Sequence, residues 1–170
     1  MKNIILIGMP GCGKSTIGKI LAKKLNMELF DCDRVFEKTF DISTYDFFEV
    51  HGEEAFRDEE TKILSSLVKQ NGVIISTGGG CVERAENKEI LQNGGTVIFI
   101  DRPVEVIHRN IKTSFRPLLA KDKNRLFELY NRRFSKYKDF CHTEIKNTGT
   151  LMSTVHKIID EVIKNENYGS

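Results

Sequence analysis

Short, wholly apolar runs alternate along the chain with longer stretches in which apolar residues recur every three or four positions. Ile4 to Ile7 is apolar throughout, as expected of a strand buried on both faces. Val73 to Ile75 and Thr96 to Ile100 read the same way, and Met27 to Phe30 and Thr143 to Lys146 are weaker strand candidates. Between them, Ser15 to Leu25 places Ile17, Ile20, Leu21 and Leu25 on one helical face. The final segment aligns Leu151, Val155, Ile158, Ile159 and Val162 in the same manner. Strands alternating with helices predict an α/β fold in which a parallel sheet is covered on both faces and joined by right-handed crossovers.

Two stretches break the alternation. Asp33 to Gln70 holds no clear strand and reads as two or three helices inserted between the second and third strands. Ile111 to Asp122 is polar with one proline, and a loop of that length in a compact domain is often a lid. No repeat, low-complexity tract or linker divides the chain, so one domain over 1–170 is expected, with a frayed polar tail at Asn165 to Ser170.

Composition narrows the class. The 170 residues are enough for one real core; 39% are hydrophobic and 29% charged, the balance of a globular protein. A net charge of +2 is too small to imply a nucleic-acid or membrane surface. No apolar run approaches the roughly 20 residues that span a bilayer. Cys12, Cys32, Cys81 and Cys141 show no CxxC spacing and fit free thiols in a reducing compartment, so a cytoplasmic protein is expected. The four histidines share no metal-binding spacing.

The strongest chemical signal is Gly8-Met9-Pro10-Gly11-Cys12-Gly13-Lys14-Ser15, which fits G-x-x-x-x-G-K-[ST] directly after a strand and at the start of a helix. Glycines let such a backbone wrap a polyphosphate with its N–H groups pointing inward. Lys14 would reach the β- and γ-phosphates, Ser15 would bind Mg²⁺, and the helix would add its positive end. Asp31-Cys32-Asp33 closes the second strand, where parallel sheets bind ligands. Two carboxylates at i and i+2 share one side of an extended chain, so one would order a Mg²⁺-bound water and the other would engage an acceptor hydroxyl. The same pair would also serve as N-caps for the next helix.

Arg57 and Glu60 lie one turn apart in a charge-rich helix. Ser76-Thr77-Gly78-Gly79-Gly80 ends a strand in three glycines, costly unless backbone must approach a ligand closely; its N–H groups would suit a carboxylate and Ser76 a Mg²⁺-bound water. Arg109, Arg116 and Arg133 lie in or beside the expected lid, where an arginine can stabilise charge developed in phosphoryl transfer.

Taken together, these motifs resemble the shikimate kinases from the N-terminus to about residue 164. The cradle with Lys14, Ser15 and Thr16, the pair Asp31/Asp33, Arg57 followed by Glu60, the strand ending in Ser76-x-Gly78-Gly79-Gly80, and Arg116-Pro117-Leu118-Leu119 follow the family's order and spacing. The resemblance implies a P-loop kinase of the nucleoside-monophosphate-kinase type. It would have a five-stranded parallel sheet, an acceptor-binding insertion at about 33–61 and a lid at about 111–122. It implies transfer of the γ-phosphoryl group of ATP to the 3-hydroxyl of shikimate, with Mg²⁺, by a monomer binding neither nucleic acid nor membrane.

The resemblance also assigns roles. Gly11, Cys12, Gly13, Lys14, Ser15 and Thr16 would hold ATP, and Ser15 and, through water, Asp31 would hold Mg²⁺. Arg109 would stack on adenine. Asp33 would bind the acceptor's hydroxyls and take its proton. Arg57, Arg133 and the backbone of Gly79 and Gly80 would hold shikimate above Phe48 and Phe56, and Arg116 would lie near the transferred phosphate. The chain departs from the family in Asn147-Thr148-Gly149-Thr150, where a basic residue often flanks adenine. A gluconate-kinase-like sugar-acid kinase and a non-catalytic nucleotide switch share the cradle, but they do not require the whole set.

Overall fold

The computed structural model describes residues 1–111 and 122–167. Five parallel strands form one sheet in the order β2-β3-β1-β4-β5: β1 Ile4–Ile7, β2 Glu28–Asp31, β3 Val73–Ser76, β4 Thr96–Asp101 and β5 Thr143–Lys146. Ile4 to Ile7 are fully buried because β1 is the central strand, paired with β3 on one side and β4 on the other. The weaker pattern of β2 and β5 has the complementary cause. They are the sheet edges, and only part of each is covered.

Seven α-helices among the described residues cover the sheet: α1 Lys14–Leu25, α2 Cys32–Phe40, α3 Thr44–Leu67, α4 Glu86–Gly94, α5 Val104–Asn110, α6 Arg125–Phe140 and α7 Leu151–Asn167. The apolar stripes read from sequence face inward. Ile17 and Leu21 of α1, and Val155, Ile158 and Val162 of α7, are buried. The long insertion between β2 and β3 is α2 and α3. Gly52, at φ 82° and ψ 171°, breaks α3 into two legs, so the insertion holds three helical pieces. That bend packs Phe47 against Phe36 with ring centroids 4.9 Å apart, and Phe56 against the same ring at 4.9 Å.

Between β3 and α4 the chain passes through the triple glycine and a single 3-10 turn, Cys81–Glu83. Both the glycine loop after β1 and this one leave the carboxyl edge of the sheet on adjacent strands. Because β1 is central and the chain winds to both sides of it, this edge is the ligand-binding crevice of an open α/β sheet.

Candidate active site

Between β1 and α1 the backbone takes up left-handed conformations at Gly11 (φ 79°) and Gly13 (φ 106°), which side chains would strain. Gly13 also leaves the first N–H groups of α1 without a side-chain cap, an anion-binding arrangement at the positive end of a helix. Lys14 is buried, and its Nζ donates to the carbonyls of Gly8 at 2.7 Å and Met9 at 3.0 Å, so it spans the loop from within. From behind, Asn147 Nδ2 donates to Cys12 O at 3.0 Å, while Asn147 Oδ1 accepts from Thr154 Oγ1 at 2.9 Å. The start of α7 therefore braces the cradle. A cleft of about 230 Å³ opens here, lined by Gly11, Gly13, Lys14, Ser15, Thr16, Asp31, Asp33, Thr77 and Arg102.

Ser15 Oγ donates to Asp31 Oδ2 at 2.6 Å. Two oxygen side chains from different elements thus meet at the cleft, a donor set that suits Mg²⁺, which takes few protein oxygens beside phosphate and water. The two aspartates do not lie side by side on an extended chain as their spacing suggested. Asp31 is the last residue of β2 and also the N-cap of α2. Its Oδ1 accepts from Asp33 N at 3.1 Å and Arg34 N at 3.4 Å. Asp33 is already in the first helical turn. Asp31 therefore caps α2 with Oδ1 while its Oδ2 meets Ser15 at the cleft.

The side expected from sequence to take the acceptor is built around the triple glycine. Arg57 and Glu60, which a solvated helix face would expose, are both 5% exposed and joined by Nη1 to Oε1 at 2.8 Å. Glu53 lies 3.5 Å from Arg57 Nη2. A side chain at Gly80 would place Cβ 2.2 Å from that guanidinium, and one at Gly79 would place it 2.6 Å from Pro10 Cδ. The glycines are thus required by the protein's own parts, with an arginine and the phosphate loop pressed against their backbone. Tyr137 donates its hydroxyl to Gly79 O, and on the same helix Arg133 Nε donates to Glu83 Oε1 at 2.9 Å. Arg57 from α3 and Arg133 from α6 therefore reach the same short loop.

Burial alone would lower the Arg57 guanidinium, but Glu60, Glu53 and Glu83 outweigh it and hold it charged. Burial pushes the Glu60 carboxyl up, against the pull of Arg57 and Arg133. Burial also raises Cys32 and pushes Cys81 up to about 12, so these two thiols beside the site stay neutral. Arg57 Nε and Arg133 Nη2 are buried without a hydrogen-bond partner among the described residues. Buried donors are rarely left so, and a planar acidic group at this loop is what two guanidinium edges suit.

A family profile described as shikimate kinase matches residues 10–164. The chain belongs to the shikimate kinase family. A shikimate kinase from Clostridium botulinum (strain Eklund 17B / Type B) is 46% identical over 166 residues, covering 97% of this chain and 100% of that one. The structure of shikimate kinase from Acinetobacter baumannii in complex with shikimate superposes with a TM-score of 0.92 at 32% identity, over 97% of this chain and 94% of that one. A gluconokinase from Sinorhizobium meliloti shares only 14% identity at a TM-score of 0.61, over 99% of this chain and 97% of that one. That likeness shows the common P-loop kinase fold alone.

Within the shikimate kinase frame, the structure sorts the residues expected from sequence. Lys14, Ser15, Thr16, Asp31 and Asp33 share the phosphate cleft; Arg57, Gly79, Gly80 and Arg133 share the loop beside it. Phe56 is buried and Phe48 packs on it at 5.7 Å between centroids. Ser76 is buried at the end of β3, and it is Thr77 that lines the cleft. Arg109 lies exposed in the last turn of α5 and is not among the described residues lining the clefts. Arg116 and nearly all of the expected lid fall in 112–121, outside the described residues. Sequence reasoning missed Asn147, Glu83, Tyr137 and Arg102. Arg102 had a usable signal, a lone arginine directly after a buried strand at the ligand-binding edge of the sheet.

Proposed function

We propose that the protein transfers the γ-phosphoryl group of ATP to the 3-hydroxyl of shikimate, giving shikimate 3-phosphate for chorismate and aromatic amino acid biosynthesis. It acts as one kinase domain, a cytoplasmic monomer. The observation that carries the acceptor assignment is that Arg57 and Arg133, each with a buried N–H lacking a partner among the described residues, both reach the glycine loop next to the phosphate cradle. A carboxylate held there at both edges would fix the acceptor ring over Phe56 and Phe48. Its hydroxyl would then point toward Asp33, a wall of the phosphate cleft.

In this reading Lys14 and the N–H groups of Gly11 to Thr16 hold the β- and γ-phosphates, and Asp33 orients the hydroxyl and accepts its proton. Ser15, and Asp31 through water, would hold Mg²⁺, which neutralises charge developing between the β- and γ-phosphates. Arg116 is assigned to the transferred phosphate and Arg109 to adenine on sequence grounds.

The test is ADP release measured with shikimate, gluconate, AMP or no acceptor. Release that depends on shikimate, with conversion to a monophosphate ester seen by mass spectrometry, is expected. Gluconate-dependent release would point to a sugar-acid kinase, and acceptor-independent turnover to a nucleotide switch; either overturns the proposal.

A further inference from the structure

Two clefts meet at the end of β4. The first is the phosphate cleft of about 230 Å³ described above. The second, of about 250 Å³, is walled by Pro103, Val106 and Leu151 with Asn147, Thr148 and Gly149. Arg102 is the one described residue common to both linings, and the only charged residue of the second. An apolar slot edged by amide and hydroxyl groups suits a planar base, and the P-loop cleft suits phosphates. A nucleotide laid across both must pass Arg102.

The position of Arg102 is fixed at its root. β4 pairs with β1 as far as Ile7 opposite Phe99, which brings the next turn of chain beside the phosphate loop. Asn147 N donates to Asp101 O at 2.7 Å, pinning the residue before Arg102 to the β5–α7 turn. Among the described residues, no carboxylate or carbonyl holds the Arg102 guanidinium. The half-buried arginine thus has a fixed stem and a charged head facing two clefts, one of which is built for anions. The β5–α7 turn, Asn147-Thr148-Gly149-Thr150, supplies no charge of its own.

We propose that Arg102 is a nucleotide-binding residue, its guanidinium contacting the phosphate chain of the donor where it passes from the P-loop to the base cleft. The inference rests on the reading of the protein as an ATP-dependent kinase, but not on the identity of the acceptor. Arg102 binds donor in ground and transition states alike, so its loss should act on affinity more than on turnover.

The experiment is binding of ADP and of adenosine to the full chain by calorimetry without acceptor, for wild type, Arg102→Gln and Arg102→Lys, followed by steady-state kinetics. Arg102→Gln should weaken ADP about 10-fold, the loss of one charge-assisted hydrogen bond, and leave adenosine within about twofold. Arg102→Lys should recover part of the ADP affinity, because it restores charge without the planar fork. The KM for ATP should follow the ADP affinity, while the KM for shikimate stays within about twofold. Unchanged ADP affinity in Arg102→Gln overturns the inference. Equal weakening of adenosine and ADP overturns it too, since the contact would then be to the base. If the glutamine variant unfolds, the ADP-to-adenosine ratio of the lysine variant decides: an unchanged ratio overturns the inference and a lowered one supports it. Wild-type protein that binds ADP yet phosphorylates no shikimate would remove the acceptor assignment and leave the Arg102 result intact.

Discussion

Gly80→Ala probes the proposed acceptor site with a single methyl group. Gly80 sits at φ −93° and ψ 8°, a conformation open to alanine, so the backbone itself offers little resistance. The obstacle is the neighbour. The added Cβ would lie 2.2 Å from Arg57 Nη2, 2.4 Å from Nη1 and 2.5 Å from Cζ. Ordinary contact begins near 3.5 Å, so the guanidinium must retreat by more than ~1 Å. Its room is limited, because Phe56 lies under it at 5.2 Å and Glu60 holds Nη1 at 2.8 Å. A retreat of that size disturbs the Glu60 bond and misplaces the fork proposed to hold the acceptor. A charge-assisted hydrogen bond of ~1.5–3 kcal/mol corresponds to roughly 10- to 150-fold in binding. Steady-state kinetics should show the KM for shikimate raised at least ~10-fold, with the KM for ATP within about twofold. Gly79→Ala is the contrast. Its Cβ would meet Pro10 Cδ at 2.6 Å and Pro10 N at 3.0 Å, which is phosphate-loop ring and backbone and cannot swing aside. There the KM for ATP should rise as well. If Gly80→Ala leaves the shikimate KM unchanged in a folded protein, Arg57 does not hold the acceptor as described.

Two further predictions use other groups. Asp33→Asn keeps shape and removes the carboxylate proposed to accept the proton, so kcat should fall by ~10²-fold or more, with a smaller change in the shikimate KM; intact kcat would rule out the base role. Glu83 is raised by burial but pulled lower overall by Arg133, Arg132 and Lys136. A depressed carboxylate adds stability above its unfolded value of about 4.3 and loses it as pH falls through the lower folded value. Glu83→Gln should therefore cost about 1 kcal/mol at pH 7, or ~2–4 °C in Tm, and the gap to wild type should close below about pH 4. A gap that persists unchanged into acid would show that the pair with Arg133 contributes nothing.

Legibility followed the distance between cause and effect along the chain. The phosphate loop was legible whole, because the strand, glycines, lysine and helix start that make it are consecutive. The central strands were legible because burial on both faces leaves only apolar side chains. The aspartate pair was misread over one residue. Extended geometry was assumed through Asp33, whereas Asp31 caps a helix that begins at Cys32, and a cap and a catalytic carboxylate look alike in sequence. Asn147 was opaque because its hydrogen bond to Cys12 O joins the turn after the last strand to the first loop. Glu83 and Tyr137 act on Arg133 and Gly79 across 50 and 58 residues of chain.

Arg57 and Glu60 show how a buried charge can hide in plain sight, and what would have revealed it. The helix around them is crowded with charge, Asp58 and Glu59 standing between the two. The inward face of the second leg of α3 nevertheless consists of Phe56, Arg57, Glu60, Ile63, Leu64 and Leu67. Those positions follow the three-and-four spacing of an apolar stripe, with two members replaced by opposite charges. A charge on such a stripe costs several kcal/mol unless paired and hydrogen-bonded. The i,i+3 spacing supplies a pair, but it cannot satisfy all five donors of an arginine. Arg57 Nε accordingly remains without a partner among the described residues. An arginine–glutamate pair on the apolar stripe of a helix, with a glycine run elsewhere to make room for the fork, therefore signals a ligand more strongly than the charge pattern or the glycines alone. Replacing both charges by apolar residues of similar size, Arg57→Met with Glu60→Leu, should keep or raise stability, since a buried pair seldom outperforms good packing. It should abolish shikimate turnover while ADP still binds. A large loss of stability instead would mean that the pair is kept for the fold and that its place at the acceptor site is incidental.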